Sequence, residues 1–357
     1  MRKKVLVAMS GGVDSSVAAA LLKEQGYDVT GVTLKLFSNE DIGIERSRTC
    51  CSLTDIEDAR SVAFRFGISH HVFNFGEQFR EQVIDRFARS YMFGQTPNPC
   101  IDCNRYIKFS ELLERAMMFD MDYIATGHYA RIELDRNTGR YLLKKALDAS
   151  KDQSYVLFGL TQEQLKRTLF PLGSLNKSEV RRLAEERELV NAKKPDSQDI
   201  CFVKDGDYAA FLENTMKLVS PPGNFIDSAG KVLGIHKGII RYTIGQRKGL
   251  GLSFGSPKYV VRKDIENNTV VLGDESEIYS DSMTVKDLNL ISVKAVTRPT
   301  AAAVKMRYGQ KEALAVLYPL GNGKIMVRFD KPQRAVAAGQ AAVFYNGDTV
   351  IGGGTIE

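Results

Sequence analysis

What most constrains the fold is the alternation of short apolar runs with helix-forming stretches from Lys4 to about Lys204. Lys4–Met9 reads as a buried strand, Ser15–Glu24 as a small-residue helix, Val29–Leu36 as a strand and Thr54–Phe66 as a helix. His71–Phe75 and Tyr123–Thr126 read as strands, Glu77–Met92 and Phe109–Met118 as helices. Such alternation predicts an α/β domain, a Rossmann-like parallel sheet with helices on both faces. Ligands of such sheets bind beyond the carboxyl ends of the strands. The pattern then changes: Asp207–Met216 reads as one more helix, and Ser220-Pro-Pro-Gly marks a break. Short strands separated by Gly, Asn and Asp turns follow, from Tyr259–Arg262 through Thr349–Ile351, which suggests small barrels or sandwiches. The expected domains are 1–205, then two β-rich modules at 206–278 and 279–357, divided near Glu275–Ser282, the last a β-barrel.

At the end of the first strand stands Ala8-Met9-Ser10-Gly11-Gly12-Val13-Asp14-Ser15-Ser16. Two glycines let the backbone turn tightly and approach a ligand without a Cβ in the way. Ser10, Ser15 and Ser16 add hydroxyls, and the free N–H groups of the helix start form an anion site. No Gly-Lys-Ser/Thr follows, so this is not the loop of kinases and GTPases. The string resembles the pyrophosphate loop of the N-type ATP pyrophosphatases, which cleave ATP between its α- and β-phosphates. The resemblance implies an adenylating enzyme that binds ATP with Mg2+ through Ala8, Met9, Ser10, Gly11, Gly12, Val13, Asp14 and Ser15. By position, Leu34 matches the residue whose backbone meets adenine, and Gly127 in Ala125-Thr126-Gly127-His128 matches a second nucleotide contact.

Adenylation serves several products, so the nucleophile has to discriminate. There are five cysteines, too few for a secreted disulfide framework and odd in number. Cys100 and Cys103 stand in Thr96-Pro-Asn-Pro-Cys-Ile-Asp-Cys-Asn104, read as a proline-stiffened loop, and Cys201 follows Asp196-Ser-Gln-Asp-Ile. A thiol attacks as the thiolate, and Arg105 and Lys108 are close enough in sequence to lower its pKa. Buried structural cysteines, a zinc site completed by Cys50 or Cys51, and a redox pair remain alternatives. Net charge is +6, from 49 Lys+Arg against 43 Asp+Glu, a mild bias compatible with a polyanionic partner. No run of apolar residues is long enough to span a membrane, and the apolar start passes directly into the glycine loop, so the expected location is cytoplasmic with no membrane partner.

The loop at Ser10–Ser15, Asn98-Pro99-Cys100-x-x-Cys103-Asn104, Thr126-Gly-His-Tyr129, Lys151-Asp-Gln-Ser-Tyr155, Ile200-Cys-Phe202 and Gly339-Gln340-x-x-Val343-Phe-Tyr345 occur in this order. Together they resemble the tRNA-specific 2-thiouridylase (MnmA/TrmU) family over essentially the whole chain. The resemblance implies thiolation of uridine 34 at C2 in tRNAs for Lys, Glu and Gln, whose anticodon stem-loop would be the partner. It makes Cys103 the nucleophile and Cys201 the persulfide carrier, the two able to close a disulfide. The sulfur donor would be a cysteine desulfurase, a relay protein or free sulfide. Asn98, Pro99, Cys100, His128, Lys151, Asp152, Gln153, Arg307, Tyr308 and Gln340 match tRNA contacts, and Arg241–Lys248 is a basic stretch able to meet phosphates. Many relatives carry Asp at position 100. Cys here gives three thiolates, Cys100, Cys103 and Cys201, the set a [4Fe–4S] cluster would use.

Overall fold

The computed structural model describes residues 2–38, 53–196, 200–203 and 206–357. Cys50 and Cys51 lie outside them. The chain divides into two compact units: residues 1–84, 99–206 and 348–350 form the first, and residues 85–98, 207–347 and 351–357 the second.

The first unit is built on five parallel strands, β1 (Lys4–Ala8), β2 (Asp28–Lys35), β3 (Ser69–Asn74), β4 (Tyr123–Ala125) and β7 (Thr168–Leu169), in the order β3-β2-β1-β4-β7. Val5 and Val7 are fully buried, as expected of a strand covered by helices on both faces. Helix α1 (Val13–Glu24) contributes Val17, Ala18 and Ala19 to the same core, and α2 (Leu53–Arg65) adds Ala59, Val62 and Ala63. Small residues on α1 let it lie close to the sheet. The strand order reverses direction at β1, between β2 and β4, the switch point beyond whose strand ends the ligand crevice of such sheets lies. A hairpin of β5 (Ala130–Asp135) and β6 (Arg140–Lys145), absent from the sequence reading, leaves β4 after Gly127 and His128.

The second unit holds two sheets. β8 (Gly223–Ile226), β9 (Val232–His236), β10 (Tyr259–Asp264) and β11 (Thr269–Gly273) make one, ordered β10-β11-β8-β9. The other is a closed antiparallel barrel of β12 (Tyr279–Leu290), β15 (Lys324–Arg334), β14 (Ala313–Gly321), β13 (Thr300–Lys305), β16 (Ala341–Asn346) and β17 (Thr349–Ile356). Closure comes from β12 pairing with β17, Val285 opposite Ile356. Inward-facing Val285, Val304, Leu317, Val327, Phe344 and Ile356 fill its core. Closing the sheet removes exposed strand edges. The expected parallel sheet and terminal barrel are both present. Among the described residues no helix is long and apolar enough to cross a membrane.

Candidate active site

Between β1 and α1 the backbone turns at Gly11 with φ +75°, in the left-handed region that favours glycine. A Cβ on Gly11 would run into the backbone of Asp55, so α2 packs directly on the turn. Asn191 Nδ2 donates to Gly11 O and to Ser16 Oγ, both at 2.9 Å, and Lys194 Nζ donates to Gly11 O at 3.2 Å. Lys194 is itself held by Asp55 and Asp58 at 2.5 and 2.6 Å. The three serines divide their roles. Ser15 Oγ accepts from Ser10 N at 3.1 Å and donates to Gly12 O at 3.1 Å, while Ser16 is fully buried. Ser15 and Ser16 therefore brace the turn, leaving exposed Ser10 and the backbone N–H groups to meet a ligand. No side chain caps the start of α1 at Gly12, so those first donors face the crevice as an anion site.

Met9 closes the strand below this turn, 1% exposed, its carbonyl accepting from Thr33 Oγ1 at 2.7 Å. Leu34 ends the neighbouring strand and is buried. Opposite them, Gly127 lies so close to α1 that a Cβ there would stand 2.7 Å from Ser15 N and 2.8 Å from Asp14 C. Leu34 and Gly127, the two positions expected to contact nucleotide, thus flank the end of β1, one from β2 and one from β4.

Asp14 is bound by residues that sequence reading did not single out. Lys177 Nζ donates to its two oxygens at 2.7 and 2.8 Å, and Tyr129 Oη donates at 2.8 Å. Burial, reinforced by Asp14, raises the Tyr129 phenol well above its ordinary pKa, so it stays a donor. Lys177 opens the helix Lys177–Glu186, also unread, although Asn176-x-x-Glu179 carries the capping-box spacing and Glu179 accepts from Asn176 N at 2.7 Å. Lys177 and Arg181, four apart, share one face of it.

Cys100 and Cys103 are on a helix, not in the loop expected. Pro99–Asp102 is one helical turn, and Cys103–Glu111 continues it with wider, π-type geometry before Leu112–Met118. Pro99 takes the first helical position, where its missing N–H costs nothing. Asn104, 2% exposed, anchors the helix by donating to Val156 O at 3.1 Å. Arg105 rests its stem on Gly159 and turns its guanidinium over Tyr106, 5.5 Å from the ring centroid. Burial pushes the Cys103 thiol up to about 11, against the pull of Lys108, so the expected lowering does not occur.

The same Lys108 charge, after burial, holds His128 well below its ordinary pKa, so the imidazole is neutral. His128 Nδ1 lies 2.7 Å from Thr126 Oγ1, and its ring packs against Phe109 and Phe170, centroids 5.9 and 6.0 Å away. The thiol-bearing helix therefore adjoins the end of β4, where Gly127 meets the phosphate turn. Cys201 is tied in by its neighbour: Phe202 packs edge-on to Phe79 at 5.8 Å, and Phe79 meets Phe37, just past β2, at 5.6 Å. The turn Gly76–Phe79 in turn packs on the Cys103 helix. Among the described residues no group of three or more His, Cys, Asp or Glu is placed to hold a metal ion. Cys100, Cys103 and Cys201 are therefore not gathered as a three-thiolate cradle among the described residues.

Of the expected tRNA contacts, Asp152 is buried, its carboxylate accepting from Ala146 N, Ser154 N and Ser154 Oγ at 2.8–3.1 Å. Gln153 Oε1 accepts from Tyr129 N at 2.9 Å. Both brace the loop, and Lys151 reaches Asp196 at 2.8 Å. In the second unit, Arg307 donates to Ala335 O at 2.8 Å and Tyr308 is 45% exposed with Lys305 over its ring. Gln340 O accepts from Ile356 N at 2.8 Å. Arg241 is paired with Glu213, which leaves exposed Arg247 and Lys248 as the outward cations of that stretch.

The Cys103 environment sets an expected reactivity. With a pKa near 11, fewer than about one thiol in a thousand is ionised at pH 7.5. Iodoacetamide should label exposed Cys100 first, and Cys103 slowly, rising about tenfold per pH unit up to pH 10. Mass-spectrometric site mapping reads this. Equal labelling of both at pH 7.5 would contradict the buried-thiol assignment.

A parallel-sheet domain with a braced, uncapped glycine turn, followed by a β-rich region and a barrel, defines a nucleotide-using enzyme of the HUP class. Residues 3–205 match the family profile described as the tRNA methyl transferase HUP domain, 209–274 its PRC-barrel domain, and 280–356 an aminomethyltransferase beta-barrel domain. A tRNA-specific 2-thiouridylase MnmA of Acetivibrio thermocellus is 54% identical over 360 residues, covering 100% of this chain and 99% of that protein. A tRNA-specific 2-thiouridylase MnmA 1 of a Thermoanaerobacter species is 55% identical, covering 99% of this chain and 98% of its own, and an MnmA of Clostridioides difficile is 51% identical, covering 100% and 99%. The chain belongs to the tRNA-specific 2-thiouridylase family.

Proposed function

We propose that this chain adenylates the C2 carbonyl oxygen of uridine 34 in the tRNAs for Lys, Glu and Gln and replaces it with sulfur. The observation that carries the reading is the meeting of three parts at one crevice: the braced glycine turn, Gly127 packed against it, and the Cys103 helix sharing Lys108 with His128. The profile description speaks of methyl transfer, but the relatives are named as thiouridylases. A phosphate turn beside thiols suits sulfur chemistry and gives methyl transfer no use for either.

ATP enters as its Mg2+ complex, with phosphates on the N–H groups that open α1. The uridine oxygen attacks the α-phosphate and pyrophosphate leaves, which converts a poor leaving group into a phosphate ester. The terminal sulfane sulfur of a Cys201 persulfide, loaded by persulfide transfer from a cysteine desulfurase or a relay protein, attacks C2, and AMP departs with the original oxygen. Cys103 then attacks Cys201 Sγ and breaks the sulfur–sulfur bond. The thio group stays on uridine, and the Cys103–Cys201 disulfide so formed is returned to thiols by an external dithiol. A neutral Cys103 at rest guards against premature disulfide formation with a loaded Cys201, and Lys108 is the cation on hand when Cys103 must ionise. Asn98, Pro99 and Cys100 border the target base in this reading. His128, Lys151, Arg307, Tyr308 and Gln340 bear on the anticodon stem-loop, while Asp152 and Gln153 shape the loop that presents Lys151. RNA loop recognition uses such stacking and phosphate contacts.

The test is nucleoside mass spectrometry of tRNA from cells lacking the gene. Loss of 2-thiouridine at position 34, restored by the wild-type chain, is expected. An unchanged 2-thiouridine level refutes the proposal.

A further inference from the structure

One buried cation in the second unit has nothing to pair with. The ammonium of Lys263, on β10, is shut off from solvent and finds no hydrogen-bond partner among the described residues. Burial lowers its pKa to about 8, so at pH 7 it is still mainly charged. A buried charge without a counter-ion weakens the fold, and a methionine of similar size would fill the place without that penalty. A lysine kept there calls for an anion that arrives from outside.

The surroundings point to the source of that anion. β10 is an edge strand of its sheet, and the turn at Gly94 packs against it. A Cβ on Gly94, at φ +70°, would stand 3.9 Å from Lys263 Cε and 2.7 Å from Ile265 Cδ1. Met92 and Phe93, which precede Gly94, are exposed, as are Ile265 and Arg262. An exposed ring with cations beside it suits RNA, whose bases stack on aromatic side chains while its phosphates accept from the cations. An apolar protein surface would leave the ammonium as orphaned as before.

We propose that Lys263 is a latent phosphate ligand for tRNA. On binding, its flexible stem turns out past Gly94 and the ammonium takes a backbone phosphate, while a base stacks on Phe93. Gly94 stands four positions before Asn98, so the same movement bears on the segment that borders the target base in the reading above. The inference rests on that tRNA-modifying reading and deepens it.

The experiment measures binding of an unmodified tRNA-Lys transcript to the full chain across a salt series, with the melting temperature of each variant. Lys263→Met should weaken tRNA about fivefold and flatten the slope of log affinity against log salt by about 0.7–1, one phosphate contact fewer. The same variant should melt several degrees above the wild type, since it no longer buries an uncompensated charge. A lysine with a purely structural role gives the opposite pair, a lower melting temperature and an unchanged salt slope, and that result overturns the proposal. Phe93→Ala, at an exposed position compatible with folding, should weaken tRNA about tenfold with the slope unchanged, because stacking carries no charge. Wild-type affinity in both variants also overturns it. If the variants lose sulfur delivery from the donor protein with tRNA affinity intact, the patch serves a protein partner and the RNA assignment falls. A wild-type chain that binds no tRNA would instead sink the tRNA-modifying reading itself.

Discussion

Replacing Cys201 with serine should abolish 2-thiouridine formation, a loss of at least about a thousandfold, while tRNA-dependent pyrophosphate release continues. A hydroxyl cannot carry sulfane sulfur, so Cys201→Ser stops the reaction after adenylation. Phe202, packed on Phe79, positions the segment through the neighbouring residue and is untouched by this change, so the crevice should keep its form. Cys103→Ser should fail one step later. The terminal sulfur reaches C2, but no thiolate is left to cut it from Cys201, and tRNA remains joined to the protein through a disulfide. A non-reducing gel should show that adduct, and dithiothreitol should release it as thiolated tRNA. An amidating or lysine-adding enzyme of the same ATP class would tolerate both substitutions, since neither chemistry uses a thiol. Full single-turnover thiolation by either serine variant without added dithiol would therefore remove the sulfur-transfer reading while leaving adenylation intact.

The parts of the site that could be read in the sequence are those whose chemistry is local. Gly11 needs a left-handed φ, an α1 start without a side-chain cap leaves bare donors, and both facts follow from Ser10-Gly-Gly-Val-Asp-Ser directly after a strand. The parallel sheet followed from the spacing of apolar runs, and the barrel from alternation at close turns. What escaped depends on contacts distant in sequence. Lys177 reaches Asp14 across 163 positions and Asn191 reaches Gly11 across 180, and no local pattern marks either as a partner of the turn. The helix bearing Lys177 did carry a readable signal in Asn176-x-x-Glu179. The hairpin Ala130–Lys145 carried one as well, with Asp135 accepting from Asn137 N and Thr138 Oγ1 around Gly139 at φ +70°.

The cysteines show the opposite error. Pro97 and Pro99 suggested a stiff loop, but Pro99 starts a helix that buries Cys103, and burial outweighs the charge of Lys108. Sequence proximity of a cation says nothing about desolvation, and desolvation sets the resting state of this thiol. A related point holds at Asp152 and Gln153. A polar residue in a motif can serve the backbone of its own loop as readily as a substrate, and here the buried carboxylate satisfies donors of Ala146 and Ser154.

Gly127→Ala should be costly although it removes no functional group. The added methyl would stand 2.7 Å from Ser15 N, 2.8 Å from Asp14 C and 3.0 Å from Ser15 Cα, all backbone atoms that no rotamer change can clear. Either the end of β4 or the start of α1 must move by several tenths of an ångström. Asn191 and Lys194 pin the turn on one side, and Lys177 and Tyr129 hold Asp14 on the other. Forcing a methyl into such a packed contact typically costs about 1–3 kcal/mol of stability. The larger effect falls on function, because the donors of the turn and the neighbouring His128 lose their alignment together. ATP affinity should drop about a hundredfold, the scale expected for displacements of this kind at a binding centre. Gly255→Ala, where a Cβ meets nothing within 4 Å, should leave ATP affinity and melting temperature unchanged. Calorimetric ATP titration of both variants decides the matter. If Gly127→Ala binds ATP as the wild type does, nucleotide does not seat between β1 and β4, and the crevice at the strand reversal is not the adenylation site.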